Sequence, residues 1–283
     1  MTTNTIEHPE TMAEDGKGGY APVNGLNMYY EVHGAGRPLV LLHGGFGLSG
    51  MFGDLLPLLA RNRQVIAVDL QGHGRTADID RPLRLELMAD DIAALIGYLG
   101  VEKADLMGYS LGGGVALRTA IQHPEVVRKL VVVSTPHKRA AWYPEMVAGM
   151  EQMSAAAAPF LFETPMYQAY VSVAPDPEHF AVLVDKMGDL LRQDYDWSDE
   201  VAALTMPTMI VVGDADGLPP AQAAQFFELL GGGKRDGSWD RSGMTIHRLA
   251  ILPGTTHYDI FSSPALASTV MPFLDEPMPE EKQ

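Results

Sequence analysis

Gly108-Tyr109-Ser110-Leu111-Gly112 puts a serine between two glycines, where an apolar run (Ala104 to Tyr109) meets a helical pattern (Leu111 to Gln122). A sharp turn from strand to helix holds such a serine in a strained backbone conformation, and glycines on either side leave room for it. The helix beginning at Leu111 aims its first N–H groups and the positive end of its dipole at the reacting centre, where negative charge can develop. A serine there also suits an ordinary helix N-cap. The chemistry therefore depends on what else the chain brings to Ser110.

Three further motifs are of the required type. His43-Gly44-Gly45-Phe46-Gly47 follows an apolar run and offers backbone N–H groups that a substrate oxygen can approach closely. A tetrahedral oxyanion needs two donors; the Leu111 amide is one expectation, and the amide of Gly45 or Phe46 the other. Gly213-Asp214-Ala215-Asp216-Gly217 follows the run Thr208 to Val212. A carboxylate at the C-terminal end of a parallel strand faces the crevice where ligands bind. Asp216 is the first choice for the acid that orients a histidine, and Asp214 the second. Pro253-Gly254-Thr255-Thr256-His257 supplies the base, His257, after the last strand pattern. Eight other histidines are present. His247 lies in a strand pattern, His73 on a Gly-rich turn, and His43 reads as a brace for its loop. The order Ser, Asp, His along the chain suits acyl transfer with Ser110 as nucleophile, His257 as base and Asp216 as orienting acid.

The elements that must position these residues alternate. A hairpin is expected over Tyr20 to His33, turning at Asn24-Gly25. Strands are expected at Pro38 to His43, Gln64 to Leu70, Ala104 to Tyr109, Lys129 to Val133, Thr208 to Gly213 and His247 to Leu252. Glu86 to Leu99 and Leu111 to Gln122 have helical spacing. Strand, helix, strand in repetition predicts an α/β fold with a mostly parallel central sheet and helices on both faces. Residues 136–204 break the rhythm: they are rich in Ala, Met and aromatics and lack strand runs. They are expected to form a helical cap inserted between two parts of the core, residues 20–135 and 205–275. Residues 1–19 are expected to be a disordered tail, and residues 276–283 a frayed C-terminus.

Composition narrows the function further. A chain with 36 acidic and 20 basic residues carries a formal charge of −16, which repels nucleic acid phosphate and anionic membrane surfaces. No cysteine is present, which excludes thiolate catalysis, disulfides and Cys-ligated metals. No H-E-x-x-H, Walker A, EF-hand or dinucleotide-binding pattern occurs, so neither a metal nor an organic cofactor is expected. No apolar run is long enough to span a bilayer, and no secretory leader is evident, which together suit the cytoplasm. Nothing in the sequence sets an oligomeric state.

These motifs resemble the α/β-hydrolase fold family, and the similarity runs from about Tyr20 to Leu274. The pieces that carry it are the His43 to Gly47 loop, Asp69-Leu70-Gln71-Gly72-His73-Gly74-Arg75-Thr76, Gly108 to Gly113, Gly213 to Asp216 and Gly254 to His257. The resemblance implies Ser110, Asp216 and His257 as a triad, with the amides of Leu111 and of Gly45 or Phe46 as oxyanion hole. A serine rather than an aspartate nucleophile sets the chain apart from the dehalogenase and epoxide hydrolase branches. The segment Ala21 to Glu31 is similar to a bacterial subgroup of small esterases that includes macrolide esterases, which implies a lactone as one possible substrate.

The expected partner is a small, neutral, largely apolar ester or lactone. Trp142, Tyr143, Met146 and Tyr170 of the insertion are expected to face it, since aromatic and thioether side chains make an adaptable apolar wall. Carbon–carbon bond hydrolysis, acyl or peroxide transfer, and non-catalytic ligand binding are the competing readings.

Overall fold

The computed structural model describes residues 18–278. Eight strands form one sheet: β1 (Gly18–Val23), β2 (Leu26–His33), β3 (Arg37–Leu42), β4 (Arg63–Val68), β5 (Ala104–Tyr109), β6 (Val127–Val133), β7 (Thr208–Ala215) and β8 (Arg248–Thr256). Their order is β1-β2-β4-β3-β5-β6-β7-β8. β1–β2 and β2–β4 pair antiparallel, and every later neighbour is parallel. The hairpin turns where expected, with Asn24 at φ 47° and Gly25 at φ 85°. Two consecutive left-handed residues are what a tight two-residue hairpin turn demands.

Ten α-helices complete the molecule among the described residues. They are α1 (Leu55–Leu59), α2 (Leu85–Tyr98), α3 (Leu111–Gln122), α4 (Pro144–Glu151), α5 (Ala158–Leu161), α6 (Pro165–Val173), α7 (Phe180–Leu191), α8 (Ser198–Ala202), α9 (Pro220–Leu229) and α10 (Pro264–Asp275). The central strands are apolar on both faces because both are covered. Val40, Leu42, Leu130, Val132, Ile210 and Val212 pack in one core, with α2, α3 and α9. Leu39, Leu41, Val131, Val133, Met209 and Val211 pack in a second, under α1 and α10. Alternate residues of one strand thus feed opposite cores, as the period of two requires.

Between β6 and β7 the chain runs through α4 to α8, where the helical insertion was expected. The insertion is tied down by a charged latch. Lys186 on α7 donates from Nζ to Asp78 Oδ2 at 2.5 Å, Ile79 O at 2.8 Å and Arg81 O at 2.9 Å. Aromatic contact adds to this: the Phe180 ring lies 6.1 Å from that of Phe46. The insertion therefore rests on the loop that follows β3.

Several strand and helix ends shift by one or two residues from the sequence reading, and the end of β8 shifts by more. Gly18 and Gly19, placed in the expected tail, open β1; residues 1–17 of that tail lie outside the described residues. β8 runs on to Thr256, past the expected end at Leu252. At the other end α10 stops at Asp275, and residues 279–283 of the expected frayed segment lie outside the described residues.

Candidate active site

β5 ends at Tyr109 and α3 begins at Leu111, leaving Ser110 alone at the elbow with φ 52° and ψ −116°. The elbow is possible because two glycines flank it. A Cβ on Gly108 would lie 2.0 Å from Gly112 O, and one on Gly112 would lie 2.4 Å from Leu42 O. A larger residue at Gly108 would push α3 off β5, and one at Gly112 would push it off β3, so the spacing of the motif is a packing requirement.

The structure brings the three expected residues together. His257 Nε2 lies 3.1 Å from Ser110 Oγ, and its Nδ1 lies 2.8 Å from Asp216 Oδ1. Nδ1–H donates to the carboxylate, which leaves the Nε2 lone pair facing the serine hydroxyl. Asp216 and His257 are buried. Burial pushes the Asp216 carboxyl up, but hydrogen bonds from His257 and Ser134 outweigh it and hold the carboxyl below its usual range. Asp216 is therefore an anion fixed behind the imidazole, placed to stabilise an imidazolium.

Asp214, the second choice for the acid, turns away. It is exposed, and its Oδ1 accepts the Thr255 N–H at 3.3 Å. The β7–β8 register shifts between Gly213 and Ala215, and that irregularity swings the chain so that Asp216 points inward.

Ser134 and Tyr109 complete the support, and neither was singled out in the sequence. Ser134 follows β6, is fully buried, and sits at φ 54°. Its hydroxyl donates to Asp216 Oδ2 at 2.5 Å, and the Gly213 and Gly217 amides donate to the same carboxylate at 3.0 and 2.6 Å. Tyr109 donates its hydroxyl to His257 O at 2.6 Å and sets its ring 5.3 Å from the imidazole at a 40° tilt. Ser110, Phe46 and Ser134 are all non-glycine residues held at positive φ. Strain concentrated in this way is characteristic of functional sites.

The loop after β3 lies against the elbow. A Cβ built on Gly44 would be 3.5 Å from Ser110 Cβ, and one on Gly45 would be 4.0 Å from Leu111 Cβ. The Gly112 N–H donates to His43 O at 3.0 Å, locking loop and helix together. The Leu111 N–H, at the first position of α3, has no acceptor among the described residues, and the Gly45 and Phe46 amides have none either. These are the donors expected to receive an oxyanion.

His43 is the brace it was expected to be. Its Nδ1–H donates to Gly44 O at 2.7 Å, and its Nε2 accepts the Leu70 N–H at 3.1 Å, which fixes a neutral tautomer. His73 packs beside it, ring to ring at 5.2 Å. Burial pushes His43 from the usual 6.5 down to about 4; burial and then His43 itself push His73 down to about 3. Folded values below the unfolded value mean that the unfolded chain binds more protons under pH 6.5. Stability is undiminished above that pH, is lost as pH falls from the unfolded toward the folded values, and levels off below them. The melting temperature is expected to drop steadily between about pH 6.5 and 4, at about 1.4 kcal/mol per pH unit for each histidine. A melting temperature that is flat across this window in a buffer series contradicts the assignment.

The four expected pocket residues separate. Trp142 lies edge-on to His257 with ring centroids 5.6 Å apart. Met146 places Cε 3.1 Å from where a Cβ of Gly217 would be. Tyr143 anchors α4 through its backbone, donating its N–H to Gly217 O at 3.1 Å. Tyr170 is a correction: it is buried in the insertion's own aromatic core, 5.1 Å from Phe180, with its hydroxyl donating to Asp176 O. Its position on the buried stripe of α6 turns it toward Phe180.

Comparison with solved structures agrees with this architecture. The crystal structure of E-2-(acetamidomethylene)succinate hydrolase superimposes with a TM-score of 0.71 over 92% of this chain and 99% of that one, at 22% identity. An enol-lactonase from Burkholderia xenovorans LB400 superimposes with a TM-score of 0.66 over 91% of this chain and all of that one, at 21% identity. The chain has the α/β-hydrolase fold. The family model of the alpha/beta hydrolase fold matches residues 37–163, which hold the β3 loop and the elbow at Ser110. Among curated sequences, RutD of Azorhizobium caulinodans, a proposed carbamate hydrolase, is 36% identical over 115 residues, 41% of this chain and 43% of its own length. The 2-hydroxymuconate semialdehyde hydrolase of a Pseudomonas species is 40% identical over 115 residues, 39% of this chain and 41% of its own length. The chain thus matches about two fifths of the length of these relatives.

Proposed function

We propose that this α/β-hydrolase-fold protein is a serine-dependent hydrolase of neutral, largely apolar carboxylic esters or lactones. The observation that carries the reading is the continuous hydrogen-bonded line from Ser110 through His257 to Asp216, with unpaired amides beside the serine. The names of the sequence relatives and structural neighbours, hydrolases of several bond types, support the reaction class.

The steps follow from this arrangement. His257 Nε2 takes the Ser110 hydroxyl proton as Oγ bonds to the ester carbonyl carbon. The carbonyl π electrons move to oxygen, and the oxyanion is received by the Leu111 amide and that of Gly45 or Phe46. When the tetrahedral species collapses, the carbon–oxygen bond to the alcohol breaks and His257 returns its proton to the departing oxygen. Water then attacks the acyl–serine, giving its proton to His257, and the second collapse restores Ser110 and frees the acid. Asp216 stays ionised throughout, which matches the depressed carboxyl.

The test is hydrolysis of a short p-nitrophenyl ester and of a sixteen-membered macrolide lactone, read by absorbance and by mass. The expected result is release of p-nitrophenol; gain of one water on the macrolide would place a lactone among the substrates. Inertness toward both, together with cleavage of a vinylogous β-diketone, would favour carbon–carbon hydrolysis.

A further inference from the structure

The geometry points to a leaving-group subsite formed by Trp142, Met146 and Tyr258, built for an alcohol that carries an aromatic ring. This assignment rests on the ester-hydrolase reading and adds to it the class of leaving group.

His257 is the only proton carrier in the mechanism above, so the departing oxygen must come to its Nε2. Whatever that oxygen carries must lie along the solvent side of the imidazole. Two rings already meet the imidazole edge-on: Trp142 at 5.6 Å and 78°, and Tyr258 at 5.5 Å and 81°. Met146 closes the space between them, with the Tyr258 hydroxyl 3.6 Å from its Sδ. The benzo edge of Trp142 is turned to Gly217. A Cβ at Gly217 would lie 3.1 Å from Met146 Cε, 3.3 Å from Trp142 Cζ3 and 3.5 Å from His257 Nδ1, so Met146 and Trp142 pack together against Gly217 beside the imidazole.

The apolar wall beside the β3 loop is buried. Phe46, Phe180 and Met187 are buried, with Met187 Cε 2.9 Å from a Cβ built on Gly45. The His257 side is the open one: Tyr258 is 72% exposed although it is a large aromatic next to a buried histidine. An exposed tyrosine, a thioether and an indole edge around one opening form a surface suited to stacking a ring, through aromatic and sulfur–aromatic contact. The three side chains that form it are uncharged, so the ring is expected to be uncharged.

The experiment compares benzyl acetate with methyl acetate, since both give the same acetyl–serine and release alcohols of similar acidity. Wild type is expected to prefer the benzyl ester by about tenfold or more in kcat/KM, a ratio within reach of an apolar pocket. Tyr258→Ala and Met146→Ala are expected to reduce that ratio toward one. A purely structural role would lower both esters by the same factor and leave the ratio in place, which would overturn the assignment, as would wild type without benzyl preference. Absence of Ser110-dependent turnover of either ester would overturn the ester-hydrolase reading itself, and the subsite with it.

Discussion

Replacing Ser110 with alanine is expected to lower kcat by about 10⁶-fold, close to the limit for loss of a triad nucleophile. Ser110 Oγ lies 3.1 Å from His257 Nε2, and on the proposed mechanism its loss leaves no atom to form the acyl intermediate. The residual rate would come from the oxyanion donors and substrate binding. The fold should hold, because the elbow is set by Gly108 and Gly112 and by the β5–α3 junction, and alanine at φ 52° is no more strained than serine. The check is turnover of a p-nitrophenyl ester alongside thermal melting. A drop of less than a hundredfold with intact melting would mean that another group attacks.

The second large effect separates two neighbouring carboxylates. Asp216→Asn is expected to lower kcat by about 10⁴-fold. Asparagine would present an amide to Nδ1 and favour the wrong imidazole tautomer, and the anion that offsets the imidazolium would be gone. Asp214→Asn is expected to change kcat less than about twofold, because Asp214 is exposed and only receives the Thr255 amide. Steady-state kinetics of the two variants decides between them. If Asp214→Asn is the damaging change, the acid has been misassigned.

The sheet and elbow were legible because their physics is local. β5 and α3 were read to the residue, since a buried strand is an apolar run and the flanking glycines mark where it turns into helix. The end of β8 was not, because Pro253 and Gly254 read as a loop. β8 is an edge strand, where a missing N–H costs little, and after an irregular stretch the pairing resumes at Ala215 and Thr256. Ser134 was invisible for a different reason. Its contact with Asp216 spans 82 positions and depends on β6 and β7 lying side by side. No spacing rule reports such a pair. Tyr170 and Trp142 had equal standing as aromatics of the insertion. Only the tertiary arrangement sends one into the insertion's core and the other against His257. The two Asp residues were likewise two positions apart on one strand end, and the register shift of β7 decides which one turns inward.

The most direct test of the central claim is covalent labelling with a p-nitrophenyl alkylphosphonate, followed by mass mapping of the modified peptide. The reagent mimics the tetrahedral species and reacts with a serine only when a base activates it. The account predicts one phosphonyl group per chain, located on Ser110, and its loss in His257→Ala. A label on any other residue, or a wild-type protein that stays unlabelled, would contradict it.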